Sequence, residues 1–269
     1  MFVATLDKTQ DVPLELIYRA VKESAGSEEG MSHCGHHSLE KLITWLQKNP
    51  AVDKAVMLGI EWQYIKLLDQ HRNLAPITIE HRMANDPKFF MELIRLLYRS
   101  ENDAPPDTLP DEQRKRAAEN TISLFYNWRT PPGSLPDGRF SAKDLSTWMG
   151  IVRELAGASG HLKAAMTEIG EVFARDPNRW WAYEEAIGEI LNAPDADSMR
   201  DGFRTQLYNN RGAYGYSAGH AEFKIAKDYK DSADKLELKG YHLLAQTLRE
   251  LASSYESDAE REAAANPYR

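Results

Sequence analysis

The densest group of chemistry-capable side chains is His33-Cys34-Gly35-His36-His37: four metal-ligating residues within five positions, around a glycine that lets the backbone bend. Zinc takes about four nitrogen or sulfur ligands in tetrahedral geometry. This stretch, joined through the fold by His71 or His81, is where a metal-dependent enzyme would assemble its centre. Neighbours so close in sequence rarely wrap one ion, and no second Cys or His pair stands at finger spacing. The simpler expectation is a polar loop before a helix starting near Ser38, with no metal and no cofactor. Cys34 with His36 or His37 is likewise too close in sequence to give a nucleophile and its base.

A second candidate is the loop 209–220, NNRGAYGYSAGH. Gly212, Gly215 and Gly219 permit unusual backbone angles there. Arg211, Tyr214 and Tyr216 could present a guanidinium and two phenols to a partner, and these three are the expected partner-binding residues. The glycine spacing fits neither a dinucleotide fingerprint nor a phosphate loop. The alternative is an inter-helix loop in which Arg211 caps the helix before it. Sequence signatures of catalysis are otherwise missing: there is no H-E-x-x-H pair, and the G-x-S-x-G spacing at Gly215–Gly219 follows no expected strand, so it makes no nucleophile elbow. The chain reads as non-enzymatic, with no catalytic residue nominated.

The elements that would position such groups are legible from apolar spacing of three and four. Leu145, Trp148, Met149, Val152, Leu155 and Ala156 form one stripe, and Leu162, Ala165, Met166, Ile169, Val172 and Phe173 the next. Further stripes run from Trp180 to Leu191, from Ala226 to Leu236 and from Tyr241 to Tyr255. Earlier, Met57, Ile60, Tyr64, Leu67 and Leu68 share a helical face, and Phe89 to Leu97 give a wide apolar arc expected to be the most buried helix. Asp86-Pro87 and Asp176-Pro177 read as helix openers, and Ser141 with Asp144 as a capping box. These two Asp-Pro sites, each followed by an aromatic pair, could mark a degenerate repeat. Most of the six tryptophans fall on or beside the stripes and are expected in the core. The pairs Lys224–Asp228, Lys227–Asp231 and Lys230–Asp234 read as a solvated helix face.

With no run of alternating β-branched residues, the expected fold is all-α: stacked antiparallel helix pairs in two lobes. Polar, proline-rich stretches at 100–110 and 130–137 divide the chain into an N-terminal lobe (1–100), a linker-flanked helix with loops (101–140) and a C-terminal lobe (141–269). The 269 residues carry 33 basic and 41 acidic groups, a formal charge of −8 spread without a basic or acidic tail. That balance argues against a general nucleic-acid binder, which needs a basic surface. No apolar run is long enough to span a membrane. A single cysteine and no secretory leader pattern favour a reducing, cytoplasmic setting.

Several phrases in order along the chain complete the reading: Glu61-Trp62-Gln63-Tyr64, Asp86-Pro87-Lys88-Phe89-Phe90, Leu96-Leu97-Tyr98-Arg99, Trp128-Arg129, Asn210-Arg211-Gly212 and Leu248-Arg249-Glu250-Leu251-Ala252. Together they resemble the C-terminal helical region of very large bacterial proteins that carry a nucleotide-binding or effector module far upstream. The resemblance implies a scaffold or sensor, in a defence or stress system, whose partner is a protein or an upstream domain of the same polypeptide. It transfers no catalytic residue. Two alternatives stand beside this: a metal-dependent enzyme at His33–His37, and a small-molecule sensor with a pocket between the lobes.

Overall fold

A computed structural model describes residues 13–24, 36–68, 74–102, 112–176, 178–179, 181, 184–212 and 215–265. Within them the apolar stripes become twelve α-helices, and no strand is present among the described residues. In chain order these are α1 (Leu14–Ser24), α2 (His36–Lys48), α3 (Lys54–Gln63), α4 (Ile77–Asn85), α5 (Pro87–Leu97) and α6 (Glu112–Asn127). They continue with α7 (Ala142–Ser159), α8 (Leu162–Arg175), α9 (Glu185–Asn192), α10 (Asp197–Asn209), α11 (His220–Leu238) and α12 (His242–Ala264). The fold is all-α.

Helix ends follow their local chemistry. Asp53 accepts hydrogen bonds from the Ala55 and Val56 amides at 2.8 and 3.1 Å and starts α3. Asp86 does the same for α5, with Pro87 at the first helical position. Ser141 accepts from the Asp144 amide at 3.3 Å, but its own amide goes to the Gly133 carbonyl, so only half of the expected capping box forms. Gly160 ends α7 in a left-handed conformation (φ 67°), which costs little without a Cβ.

Two expected helices stop short. α3 ends at Gln63, and Tyr64–Leu67 leave the helix as turns, with the Leu67 and Leu68 amides both closing on the Tyr64 carbonyl. Asp176 opens no long helix: its carboxylate accepts the Asn178 amide at 2.9 Å in a local turn, and the next helix starts at Glu185. The two Asp-Pro sites are therefore not equivalent.

Packing builds two apolar clusters. The smaller one joins α1, α2 and α3 through Ile17, Val21, Leu39, Ile43, Leu46, Met57 and Ile60. The larger one runs from Ile65 to Tyr255 and includes Leu124, Phe125 and Trp128 from the linker-flanked helix and its end. At its centre α5 packs on α4, α6, α7 and α8. Phe90 there meets Phe125, Trp128 and Trp148 with ring centroids 5.1–5.9 Å apart. Trp128, Trp148 and Trp181 are buried, as expected of core aromatics. α5 is not the most buried helix, however. α8 buries nearly every residue from Ala165 to Arg175, polar ones included.

The reason lies in the partner of α8. α10 runs alongside it in the same direction: Thr167 meets Ser198 and Gly202, and Arg175 reaches Gln206. A Cβ on Gly170 would sit 1.9 Å from the Met199 carbonyl oxygen, and one on Gly202 would sit 2.2 Å from that of Thr167. Backbones touch because two glycines leave room. The other tight pair, α11 and α12, is an antiparallel hairpin, with Tyr229 stacked on Tyr255 at 5.9 Å. The charge ladder on α11 is exposed, as its spacing predicts, and two of its members also reach α12. Lys224 does pair with Asp228, but Lys230 pairs with Glu256, and Asp234 with Arg249.

Candidate functional site

Three elements from both clusters converge where α2 ends and α4 begins. α4 starts after Pro76 with no side-chain cap of its own. Its free amides are met from a distance. The Glu61 carboxylate accepts from the Thr78 amide (3.1 Å), the Thr78 hydroxyl (3.0 Å) and the Ile79 amide (2.9 Å). Gln47 in α2 donates to the same carboxylate at 2.8 Å and to the Ala75 carbonyl at 2.8 Å. A carboxylate at a helix N-terminus is electrostatically favoured. Burial pushes the Glu61 carboxyl above its ordinary range, and the Gln47, Ile79 and Thr78 donors offset this only in part. In the same first turn, Glu80 is buried and accepts from the Arg129 amide (3.1 Å) and the Thr130 hydroxyl (2.7 Å). α2, α4 and the loop after α6 are thus fixed to one another.

Between them lies a cleft of two adjoining cavities, about 600 and 590 Å³, which share Gln47, Lys48, Ile77 and His81 as walls. The first extends to Arg129, Thr130 and Ser134, and the second to Lys54, Met57 and Arg82. These volumes suit a small organic ligand. Ile77 is 48 % exposed on the shared wall. His81 stands at the junction. Its Nδ1 is buried and has no hydrogen-bond partner. Burial, reinforced by the Lys54 charge, holds its imidazolium pKa below the ordinary value, so the ring is neutral at pH 7.

The other perturbed groups are internal braces. Tyr98 donates to Glu168 at 2.5 Å. Burial lifts the Glu168 carboxyl to about 7, with the Tyr98 bond and Arg175 opposing and Glu171 adding to the rise. Arg175 donates to the Phe125 carbonyl and to Gln206, and Arg200 to the Leu191 and Ala193 carbonyls at the end of α9. Glu222 pairs with Arg211 and accepts from Ser217 at 2.7 Å. Burial pushes its carboxyl up, but Ser217 and the Arg211 guanidinium outweigh that and hold it at about 2.

The residues singled out by sequence fall in different places. Arg211 turns inward to Glu222 and lies 5.8 Å from the Tyr255 ring centre. Tyr216 is 60 % exposed, and Tyr214 lies outside the described residues. Glu262 pins the loop by accepting from the Ser217 and Gly219 amides at 2.9 and 2.7 Å. His33, Cys34 and His71 also lie outside the described residues, while His36 and His37 open α2. His81, an auxiliary ligand in the metal reading, lines the cleft. Gln47, Lys48, Lys54 and Glu61 were not foreseen. The only signal for them was polar residues interrupting apolar faces. Compared with known proteins, the chain matches no family model, no curated protein and no solved structure.

Proposed function

We propose that this chain is a non-enzymatic helical module that acts by binding, and that its working part is the cleft at the junction of the two clusters. The observation that carries the reading is the cleft itself: a polar wall pinned by Glu61 and Glu80, an exposed Ile77, and a neutral His81 with an unpartnered nitrogen. Perturbed titratable groups cluster at functional sites. Here Glu61 and Glu222 spend their oxygens on helices and loops, and Glu168 lies in the interior against Tyr98, whereas His81 lines open space. This favours a sensor over a reaction centre. No helix among the described residues is long and apolar enough to cross a membrane.

A thermal-shift screen of nucleotides and metabolites against the full chain tests this, because a ligand that binds only the native state raises the melting temperature. Hits should stabilise the wild type and lose their effect in Ile77→Glu. That position is exposed and lies in the first turn of α4, where an acidic side chain is tolerated. Hits indifferent to Ile77→Glu would overturn the reading.

A second reading, a scaffold for a protein partner or for an upstream domain of the same bacterial polypeptide, is favoured by α6. Ile122 and Tyr126 lie one turn apart on its outer face, 53 % and 67 % exposed. Loss of such a partner from Ile122→Asp/Tyr126→Asp, but not from Ile77→Glu, would favour that surface.

A further inference from the structure

Of the two cavities, the one bounded by α2, α3 and α4 has the more one-sided chemistry. Among the described residues its charged walls are Lys48, Lys54 and Arg82, and no carboxylate lines it. Arg82 already has company, with Asp86 at 3.5 Å and the Phe89 ring 4.1 Å away. Lys48 and Lys54 are exposed and meet no carboxylate among the described residues. In a chain of net charge −8, a cavity whose described charged walls are all cationic is a local reversal of sign. The remaining walls are largely apolar: Leu46, Val52, Met57, Leu58 and Ile77.

We infer that this cavity binds a small amphiphilic anion, a carboxylate on an apolar body of medium chain length, with the head between Lys48 and Lys54 and the tail along Met57 and Ile77. The inference rests on the binding role proposed for the cleft and specifies its ligand class. Each part of the occupant answers a part of the wall. Two lysines without acidic partners give up no existing ion pair to an anion, so only their hydration and side-chain freedom oppose the contact. The apolar walls gain from covering a hydrocarbon tail, at roughly 0.8 kcal/mol per methylene buried. The cavity, about 590 Å³, has room for roughly twenty groups of water size, enough for a chain of about ten carbons. A purely polar anion would leave the apolar walls wet, and a strongly cationic or doubly acidic wall-seeker would meet repulsion or find no tail site. His81 contributes no charge of its own at neutral pH, because burial and then the Lys54 charge disfavour its protonation.

The test is calorimetric titration of the full chain with three probes: decanoate, decanol and succinate, each below its aggregation limit. Decanoate is expected to bind at least about tenfold more tightly than either decanol, which lacks the charge, or succinate, which lacks the tail. The Lys48→Glu/Lys54→Glu variant should lose about tenfold or more for decanoate. Both side chains are exposed and unpaired, so the variant folds, as its unchanged circular dichroism would verify. Lys227→Glu on α11 should bind as the wild type does. Equal binding of decanoate and decanol, equal binding of decanoate and succinate, or no loss in the double variant would each overturn the ligand class. Failure of decanoate to bind while metabolite hits remain sensitive to Ile77→Glu would sink this inference alone. Absence of any such hit would sink the binding role as well.

Discussion

Glu168 is a carboxyl group placed where its charge is poorly served. One oxygen takes the Tyr98 hydroxyl, and the other is buried without a partner. Burial therefore raises its folded-state value to about 7 from an ordinary 4.5, and Glu171 adds to the rise against Arg175. The native state then holds a proton that the unfolded chain releases. Stability should fall as pH rises from about 4.5 to 7, by an amount on the order of 3 kcal/mol in full. Glu168→Gln removes the titration while keeping an acceptor for Tyr98. Its melting temperature relative to the wild type should climb across that window and level off above it. A difference that stays flat between pH 4.5 and 8 would show that Glu168 ionises normally in the fold. Glu222 has the opposite sign: held at about 2, it favours the native state at neutral pH and loses that contribution only in acid.

At the scale of elements, helix ends are tied by side chains from other helices. Glu61 of α3 caps the start of α4, Asn192 of α9 accepts the first amides of α12 at 2.8 and 3.3 Å, and Arg200 of α10 closes α9. Such long-range caps explain why some helices lacked start signals in their own sequence. The helices whose caps are local, such as α5 behind Asp86-Pro87, could be read directly. The partnership of α8 with α10 could not. Its contact surface is made of Gly170, Gly202 and Thr167, which leave no apolar stripe, so the all-round burial of α8 was invisible to spacing.

That contact makes a sharp contrast between glycines. Gly170→Ala and Gly202→Ala each drive a Cβ into partner backbone and should cost about 2–4 kcal/mol, because neither helix can yield without separating the pair. Gly150→Ala and Gly157→Ala, in α7, meet nothing within 4 Å and should gain about 0.5–1 kcal/mol from helix propensity. Denaturant midpoints of the four variants would check both signs. Neutral Gly170→Ala and Gly202→Ala would mean that the two helices are not in backbone contact.

For the whole molecule, helical class was legible because one-sided burial imposes its period on sequence. The way helices gather was less so. Tyr64 and Leu68 belong to the small cluster, yet Ile65 between them belongs to the large one, so the two cores meet within a single turn. The cleft forms beside that meeting point. Gln47, Glu61 and Thr78 build its wall from positions 14 to 31 residues apart, a relation that no local motif expresses. The loop 209–220, conspicuous by its glycines and aromatics, is instead held down by Glu222 and Glu262. Spacing finds elements, while long-range hydrogen bonds build the site.

The most direct measurement is fragment mapping by NMR on the isotope-labelled full chain, with a chemically mixed set of small molecules. The expected result is that binding fragments shift the amides of Gln47, Lys48 and Ile77 through Arg82 together, with acids and amphiphiles foremost. Hits that leave those amides still and move only the surroundings of α6 or the loop 209–220 would contradict the cleft as the working part of the protein.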